Sequence, residues 1–351
     1  MDRRAAIGLA LLSAALFGAS TPASKWLLGG MSPWLLAGLL YLGSGLGLGA
    51  VLVGRRVLRL SADEAPIRAP DLPWLAGAVL FGGAVGPVLL MLGLAQTPAS
   101  SAALLLNLEG LATMAIAWVV FRENVDRRLL LGAFAILAGA MLLAWNGAAL
   151  GALPLGALLV AGACVAWGVD NNLTRKISGA DPMQIAAIKG LVAGSANVGI
   201  GLAQGGGLPA WGHVAEAGAV GLLGYGVSLM CFILALRHLG TARTGAYFST
   251  APFVGALISV ALFGDHITVW LALAAALMAL GVWLHLTEDH GHAHVHEALE
   301  HEHAHAHDAH HQHDHHPADP PGEPHTHWHR HRPLVHSHRH YPDLHHRHGH
   351  G

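Results

Sequence analysis

Through residues 1–287, long apolar runs alternate with short polar breaks, and the run lengths predict membrane-crossing helices. A hydrocarbon core of about 30 Å takes about 20 apolar residues as a helix. Ten runs qualify, roughly 5–27, 34–53, 73–95, 98–121, 128–146, 154–177, 183–204, 214–236, 242–264 and 267–287. They are separated at Gly29-Gly30 before Pro33, Pro70 to Pro73, Gly151 to Pro154, Asp181-Pro182 and the glycines at 205–207, where helix-breaking residues cluster.

The pattern repeats. The run from Ser100 to Glu123 recurs within Thr241–Asp265 at an offset of 142, so that Phe121 meets Phe263, Glu123 meets Asp265, Asn107 meets Ser249 and Glu109 meets Ala251. Residues 17–33 have a counterpart in 167–182, with Phe17 on Trp167. Arg3-Arg4 before an apolar run mimics a signal peptide, but a segment with a partner in the second half reads as retained.

Basic residues set the orientation. With the N-terminus inside, the inner side collects Arg3, Arg4, Arg55, Arg56, Arg59, Arg68, Arg122, Arg127, Arg128, Arg175, Lys176, Arg237 and Arg243, and the outer loops collect none. Both termini are then cytoplasmic, and two five-span halves enter the membrane in opposite senses. The fold class expected is an all-α membrane protein of ten transmembrane helices in two inverted five-helix repeats, 1–146 and 154–287. A disordered His-rich cytoplasmic tail, 288–351, follows.

Composition agrees: 53% hydrophobic, 11% charged, mean hydropathy +0.48. The formal charge of −2 gives no sign of a nucleic-acid partner, and 24 of the 28 histidines lie beyond residue 287. Cys164 and Cys231 fall inside predicted helices, where they pack as small hydrophobes and imply no disulfide. The expected partners are the lipid bilayer and a small-molecule or ion substrate, and a homodimer is compatible with the sequence.

The two repeats, the fourth span ending in FRENVDRR (121–128) and its echo ending in FGDH (263–266) resemble the EamA branch of the drug/metabolite transporter superfamily. The resemblance covers about 1–287. In that family the fourth and ninth spans typically end in an aromatic or aliphatic residue, Gly and Glu; here Arg122 stands for the glycine in the first copy and Asp265 for the acid in the second. A proline that the pattern favours is present as Pro252, with Gly110 at the matching place. The resemblance implies a secondary transporter in a bacterial inner membrane, within a family that carries metabolites, amino acids, sugars and drugs.

Glu109 leads the candidate chemistry. It lies about 12 residues, about 18 Å, from either end of its span, near the midplane, where a charged side chain marks a functional interior by default. It reads as a proton-coupling carboxylate or a ligand for a cationic substrate; the alternative is a hydrogen-bonded acid joining two helices. Asp170-Asn171-Asn172 interrupt the sixth span, and Lys189 lies at a similar depth, roughly 10 Å, in the seventh. An unpaired charge there costs about 2.5–3.5 kcal/mol, so an Asp170–Lys189 pair with a structural or gating role is expected. Lys25, near an outer end, is read as snorkelling to the headgroups. Tyr247, Ser249 and Thr250 align with Leu105, Asn107 and Leu108 and are expected to face Glu109. Trp167 and Phe17 supply aromatic walls.

The tail repeats H-x-H and H-H. Neutral imidazoles at His290, His292, His294, His296, His301, His303, His305, His307, His310, His311, His325, His327, His329, His331, His336, His338 and His340 suit Zn²⁺, Ni²⁺, Co²⁺ or Cu²⁺. A flexible multi-site metal buffer is expected, the alternative being a pH-responsive polycation below about pH 6.5. No other cofactor is required. Residues 1–287 hold no HxxxH or HExxH pattern and no Walker-type loop, which argues against a metalloenzyme or an ATP-driven pump. The function expected is a proton-coupled exporter of divalent metal ions or metal-linked solutes. The alternatives are export of a small organic metabolite or amino acid, with the tail buffering or sensing metal, and a membrane metal sensor that does not transport.

Overall fold

A computed structural model describes residues 3–58, 66–121, 127–145, 154–177, 180–239, 244, 247–286, 291–296, 300–305, 325–330 and 334–339. The apolar runs form helices. The first two spans are α1 (Arg3–Leu27) and α2 (Pro33–Val57). Ser32 caps α2 by accepting a hydrogen bond from the Leu35 amide, and Pro33 supplies its first turn. Arg55 and Arg56 lie in its last turn, where cations complement the helix dipole.

The third span is not one regular helix. It runs as α3 (Leu72–Ala78), a π-helical stretch Val79–Val85 and α4 (Gly86–Gln96). Such turns are rare and commonly mark functional positions. The fourth span is broken into α5 (Ala99–Leu105) and α6 (Leu108–Phe121) by a turn at 106–107, where a continuous helix is the expectation from sequence. The Asn107 side chain donates to the Leu104 carbonyl at 2.9 Å and closes α5 locally, in competition with continuing the helix.

α7 (Arg127–Trp145), α8 (Leu155–Lys176) and α9 (Pro182–Ala203) follow. α9 starts as α2 does, with Asp181 accepting from the Met183 amide before Pro182. The eighth span repeats the third: α10 (Trp211–Gly221), a π-helical stretch Leu222–Val227 and α11 (Ser228–Leu239). The ninth repeats the break of the fourth, with a turn at 249–250 before α12 (Ala251–Phe263). α13 (Val269–Leu286) ends the bundle. Seven helical stretches among the described residues are long and apolar enough to span a membrane, and Ala251–Phe263 and Val269–His285 are shorter apolar helices.

Small residues let equivalent helices meet closely. α2 and α9 pack antiparallel: a Cβ on Gly38 would lie 2.6 Å from the Val198 nitrogen, and one on Gly45 2.5 Å from the Leu191 nitrogen. α7 and α13 do the same, Gly139 against Ala274 and Met278, and Gly132 against Gly281 and His285. The first helix of each half docks into the other half. α1 packs on α11 and α12, and α8 on α4 and α6. At one end of the bundle Ala6 and Ala10 of α1 meet Ala235 of α11; at the other, Gly156 and Val160 of α8 meet Gly93 of α4. The main core holds Leu36, Leu40, Met91, Leu94, Leu104 and Met278.

The tail, read above as lacking regular structure, contains four six-residue strands in its described residues: β1 (Gly291–His296), β2 (Glu300–His305), β3 (His325–Arg330) and β4 (Leu334–Arg339). β1 pairs antiparallel with β4, and β2 with β3. H-x-H alternation has the period of two that a strand requires.

Candidate functional site

Polar side chains carried by α2, α6, α8 and α9 gather around the breaks in the helices. Glu109 sits in the first turn of α6, directly after the turn at 106–107. Asn171 of α8 donates from Nδ2 to Glu109 Oε1 at 3.1 Å and to Thr113 Oγ1 at 3.1 Å. Thr113 donates to the Glu109 carbonyl at 2.9 Å, and Asn172 donates to the Thr113 and Gly168 carbonyls at 3.1 and 2.8 Å. The carboxylate thus meets a neutral amide.

Asn171 is exposed although Trp167 and Cys164, one and two turns earlier on the same helical face, are buried. The outward face of α8 is instead marked by Leu158 and Val165. The side of α8 that packs inward therefore opens at Asn171.

Asp170, next in the chain, forms the expected ion pair with Lys189 of α9, and Thr174 Oγ1 donates to its other oxygen at 3.0 Å. This carboxylate is balanced and 7% exposed. It lies against Gly82 in the π-helical stretch, where any side chain would displace it. Gly224 of the second π-helical stretch meets Ser20 of α1 in the same way. Ser20 and Asp170 are equivalents at the offset that puts Phe17 on Trp167, and Gly82 and Gly224 at the offset of 142.

The π-turn displaces the helix's own bonding, and other helices supply donors to its carbonyls. Tyr41 Oη and Trp167 Nε1 both donate to the Gly82 carbonyl, at 2.7 and 3.0 Å. Asn197 Nδ2 reaches the Gly83 and Ala84 carbonyls, each at 3.3 Å. Tyr41 packs on Tyr225 (5.4 Å between ring centroids), Tyr225 edge-on to Phe17 (5.8 Å) and Phe17 on Phe248 (5.4 Å). An aromatic wall thus leads from the Asp170 level to the broken ninth span.

Of the residues singled out from sequence, Glu109 and Asn171 come together, as do Asp170 and Lys189, and Trp167 joins the latter through Gly82. Asn107 is 7% exposed and closes α5. Tyr247 packs against the alanine cluster of α1 and α11, while Thr250 donates back to the Tyr247 carbonyl at 2.6 Å. Ser249 lies half-buried in the turn before α12. These three mark the second helix break, and no described hydrogen bond joins them to Glu109.

Lys25 does not simply reach for headgroups. Its Nζ donates to the Leu94 carbonyl and to the Thr97 carbonyl (3.0 Å), tying α1 to the last turn of α4. Sequence reasoning also passed over Thr113, Tyr41, Tyr225 and Asn197. Their only signal was a polar atom inside an apolar run. Among the described residues no three His, Cys, Asp or Glu gather as a metal site. His292, His294, His296, His301, His303, His305, His325, His327, His329, His336 and His338 lie on the tail strands; His290, His307, His310, His311, His331 and His340 lie outside the described residues.

Residues 4–145 and 154–287 each match the model of the EamA-like transporter family. An uncharacterized transporter of Methanothermobacter thermautotrophicus is 26% identical over 282 residues, 76% of this chain and 82% of the relative. A solved crystal structure superposes with a TM-score of 0.58 at 20% identity, covering 81% of this chain and 96% of the other, which is a likeness of fold.

Proposed function

The chain belongs to the EamA-like transporter family, matched over both halves, and from that premise we propose that it is a proton-coupled secondary exporter with its solute path at Glu109. The observation that carries the reading is the pairing of charges. Asp170 is neutralised by Lys189, whereas Glu109 faces the neutral amide of Asn171 at a break in its span. A carboxylate whose described hydrogen-bond partner is a neutral amide can exchange a proton for a cationic solute group. Interrupted helices at the bilayer midplane are where secondary transporters place such sites.

Ten crossing helices in two inverted repeats suit the antiparallel contacts of α2 with α9 and α7 with α13, each joining equivalent helices. The excess of basic residues on one side supports cytoplasmic termini in a bacterial inner membrane. Glu109 binds the proton or the cationic group; Asn171, held by Thr113, orients it; Tyr41, Trp167 and Phe17 wall the path. The histidine tail binds Zn²⁺, Ni²⁺, Co²⁺ or Cu²⁺ on the cytoplasmic side.

Two solute classes remain in view. Divalent metals fit the tail. A small organic metabolite or amino acid fits the path, where the described partner of the Glu109 carboxylate is the Asn171 amide, itself held by the Thr113 hydroxyl. The test uses full-length protein in vesicles with an imposed pH gradient, offered a panel of divalent metals and amino acids. Glu109→Gln keeps shape and hydrogen bonding without the ionisable group, and abolishes proton-driven uptake while the protein stays folded. Uptake at the normal rate with the normal pH dependence overturns the assignment.

A further inference from the structure

Equivalent positions in the two halves differ in exposure, and the difference has a direction. Thr21 of α1 is the equivalent of Asn171 of α8 at the offset that puts Phe17 on Trp167. Thr21 is 3% exposed, whereas Asn171 is open. Ser24 is fully buried, while its equivalent Thr174 is half-buried. Ala251 is 1% exposed, while its equivalent Glu109 is half-buried. The α1–α12 contact is therefore shut where the equivalent α8–α6 contact is loosened.

Two polar clasps stand at the shut end. Lys25 bridges α1 to the Leu94 and Thr97 carbonyls at the end of α4. Asp265, just beyond α12, accepts from the Ser100 amide at 3.1 Å and from Ser100 Oγ at 2.7 Å, in the first turn of α5. α4 and α5 are joined by Thr97-Pro98, so both clasps fasten the same short connection, one from each half of the chain.

From these we infer that Lys25 and Asp265 are the closing residues of the solute path at its outer mouth, and that the structure is the state sealed there and open toward Asn171. The inference rests on the transporter reading. Each clasp joins a charged side chain to peptide groups at a helix end, an arrangement that can be traded for water when the mouth opens. Lys25 on the carbonyls of α4 also fits a plain C-terminal cap, so the test must read access rather than stability.

The protein is prepared with Cys164→Ala and Cys231→Ala, carrying either Thr21→Cys or Asn171→Cys, and treated with a membrane-impermeant maleimide in right-side-out and in inverted vesicles. Asn171→Cys should react from the cytoplasmic side and Thr21→Cys from neither. Adding Lys25→Met, or in a separate protein Asp265→Asn, should raise outer-side labelling of Thr21→Cys at least tenfold. Asn171→Cys labelling, retained from the cytoplasmic side in the same backgrounds, certifies folding, and Asp265→Asn changes no volume. Thr21→Cys reacting as fast as Asn171→Cys without the clasp changes overturns the inference, as does Thr21→Cys unlabelled in both clasp variants. Labelling needs no solute, so a shift in labelling without uptake of any solute would count against the transporter reading and leave this one standing.

Discussion

Lys189→Met tests the electrostatics of the bundle directly. The side chains of Asp170 and Lys189 are 7% and 17% exposed, so neither charge can turn to water when its partner is lost. After the change, Asp170 keeps Thr174 as its described side-chain partner and remains pressed against Gly82. Removing one member of a buried pair costs about 3–5 kcal/mol, whereas replacing both by neutral groups is often close to neutral. At about 2–4 °C per kcal/mol, the single change should lower the thermal midpoint by on the order of 10 °C. Adding Asp170→Asn should restore most of the loss. The midpoint is read from tryptophan fluorescence in detergent. If Lys189→Met melts within about 2 °C of the parent, or no higher when combined with Asp170→Asn, the pair does not carry the charge balance assigned to it.

Gly82→Ala puts a methyl group where the Asp170 carboxylate lies and should cost about 1–3 kcal/mol, read by the same melt; an unchanged midpoint means the π-helical stretch yields. Ser13 and Ser228 donate to each other's carbonyls at 2.7 and 2.9 Å. Each alanine change should cost about 1 kcal/mol, and the double change less than the sum, because the two share one contact; strict additivity refutes the coupling. A chain ending at Thr287 should lose most Zn²⁺ binding, measured by calorimetry, yet keep solute uptake. Binding to the full chain should weaken as pH falls through about 6.5, since protons compete for the neutral imidazole nitrogens; binding flat across that range excludes histidine ligation.

The apolar segments were legible because bilayer thickness fixes their length, and the Asp170–Lys189 pair because equal depth and opposite charge leave few alternatives. The break at 106–107 was not legible. Leu105, Leu106 and Leu108 favour continuing the helix, and it ends in local bonds that no residue pattern announces: the Asn107 side chain to Leu104, and the Leu106, Asn107 and Glu109 amides to carbonyls three residues back. Tyr247, Ser249 and Thr250 were placed opposite Glu109 by alignment alone. Alignment gives the level along a helix but not the direction of a side chain, and Tyr247 turns to Ala6 and Ala10. Lys25 was misjudged because the carbonyls it binds belong to backbone, which no residue pattern reveals.

The π-helical stretch at Val79–Val85 also sets a phase. Each residue of an α-helix turns the chain by about 100°, and the bond from the Gly86 amide to the Phe81 carbonyl takes one more residue into the turn than an α-helix would. Everything from Gly86 to Gln96 is thereby rotated against Leu72–Ala78, and that rotation aims Gly93 at Gly156 and Val160. Deleting one residue between 79 and 85 would let the stretch close as an α-helix with Met91 and Leu94, both fully buried, still facing the core, whereas deleting one between Gly86 and Leu90, where no extra residue is held, would swing both away by about 100°. The eighth span carries the same dislocation at Leu222–Val227. The halves stay in step because both contain it, so that Gly82 and Gly224 keep equivalent places at the offset of 142.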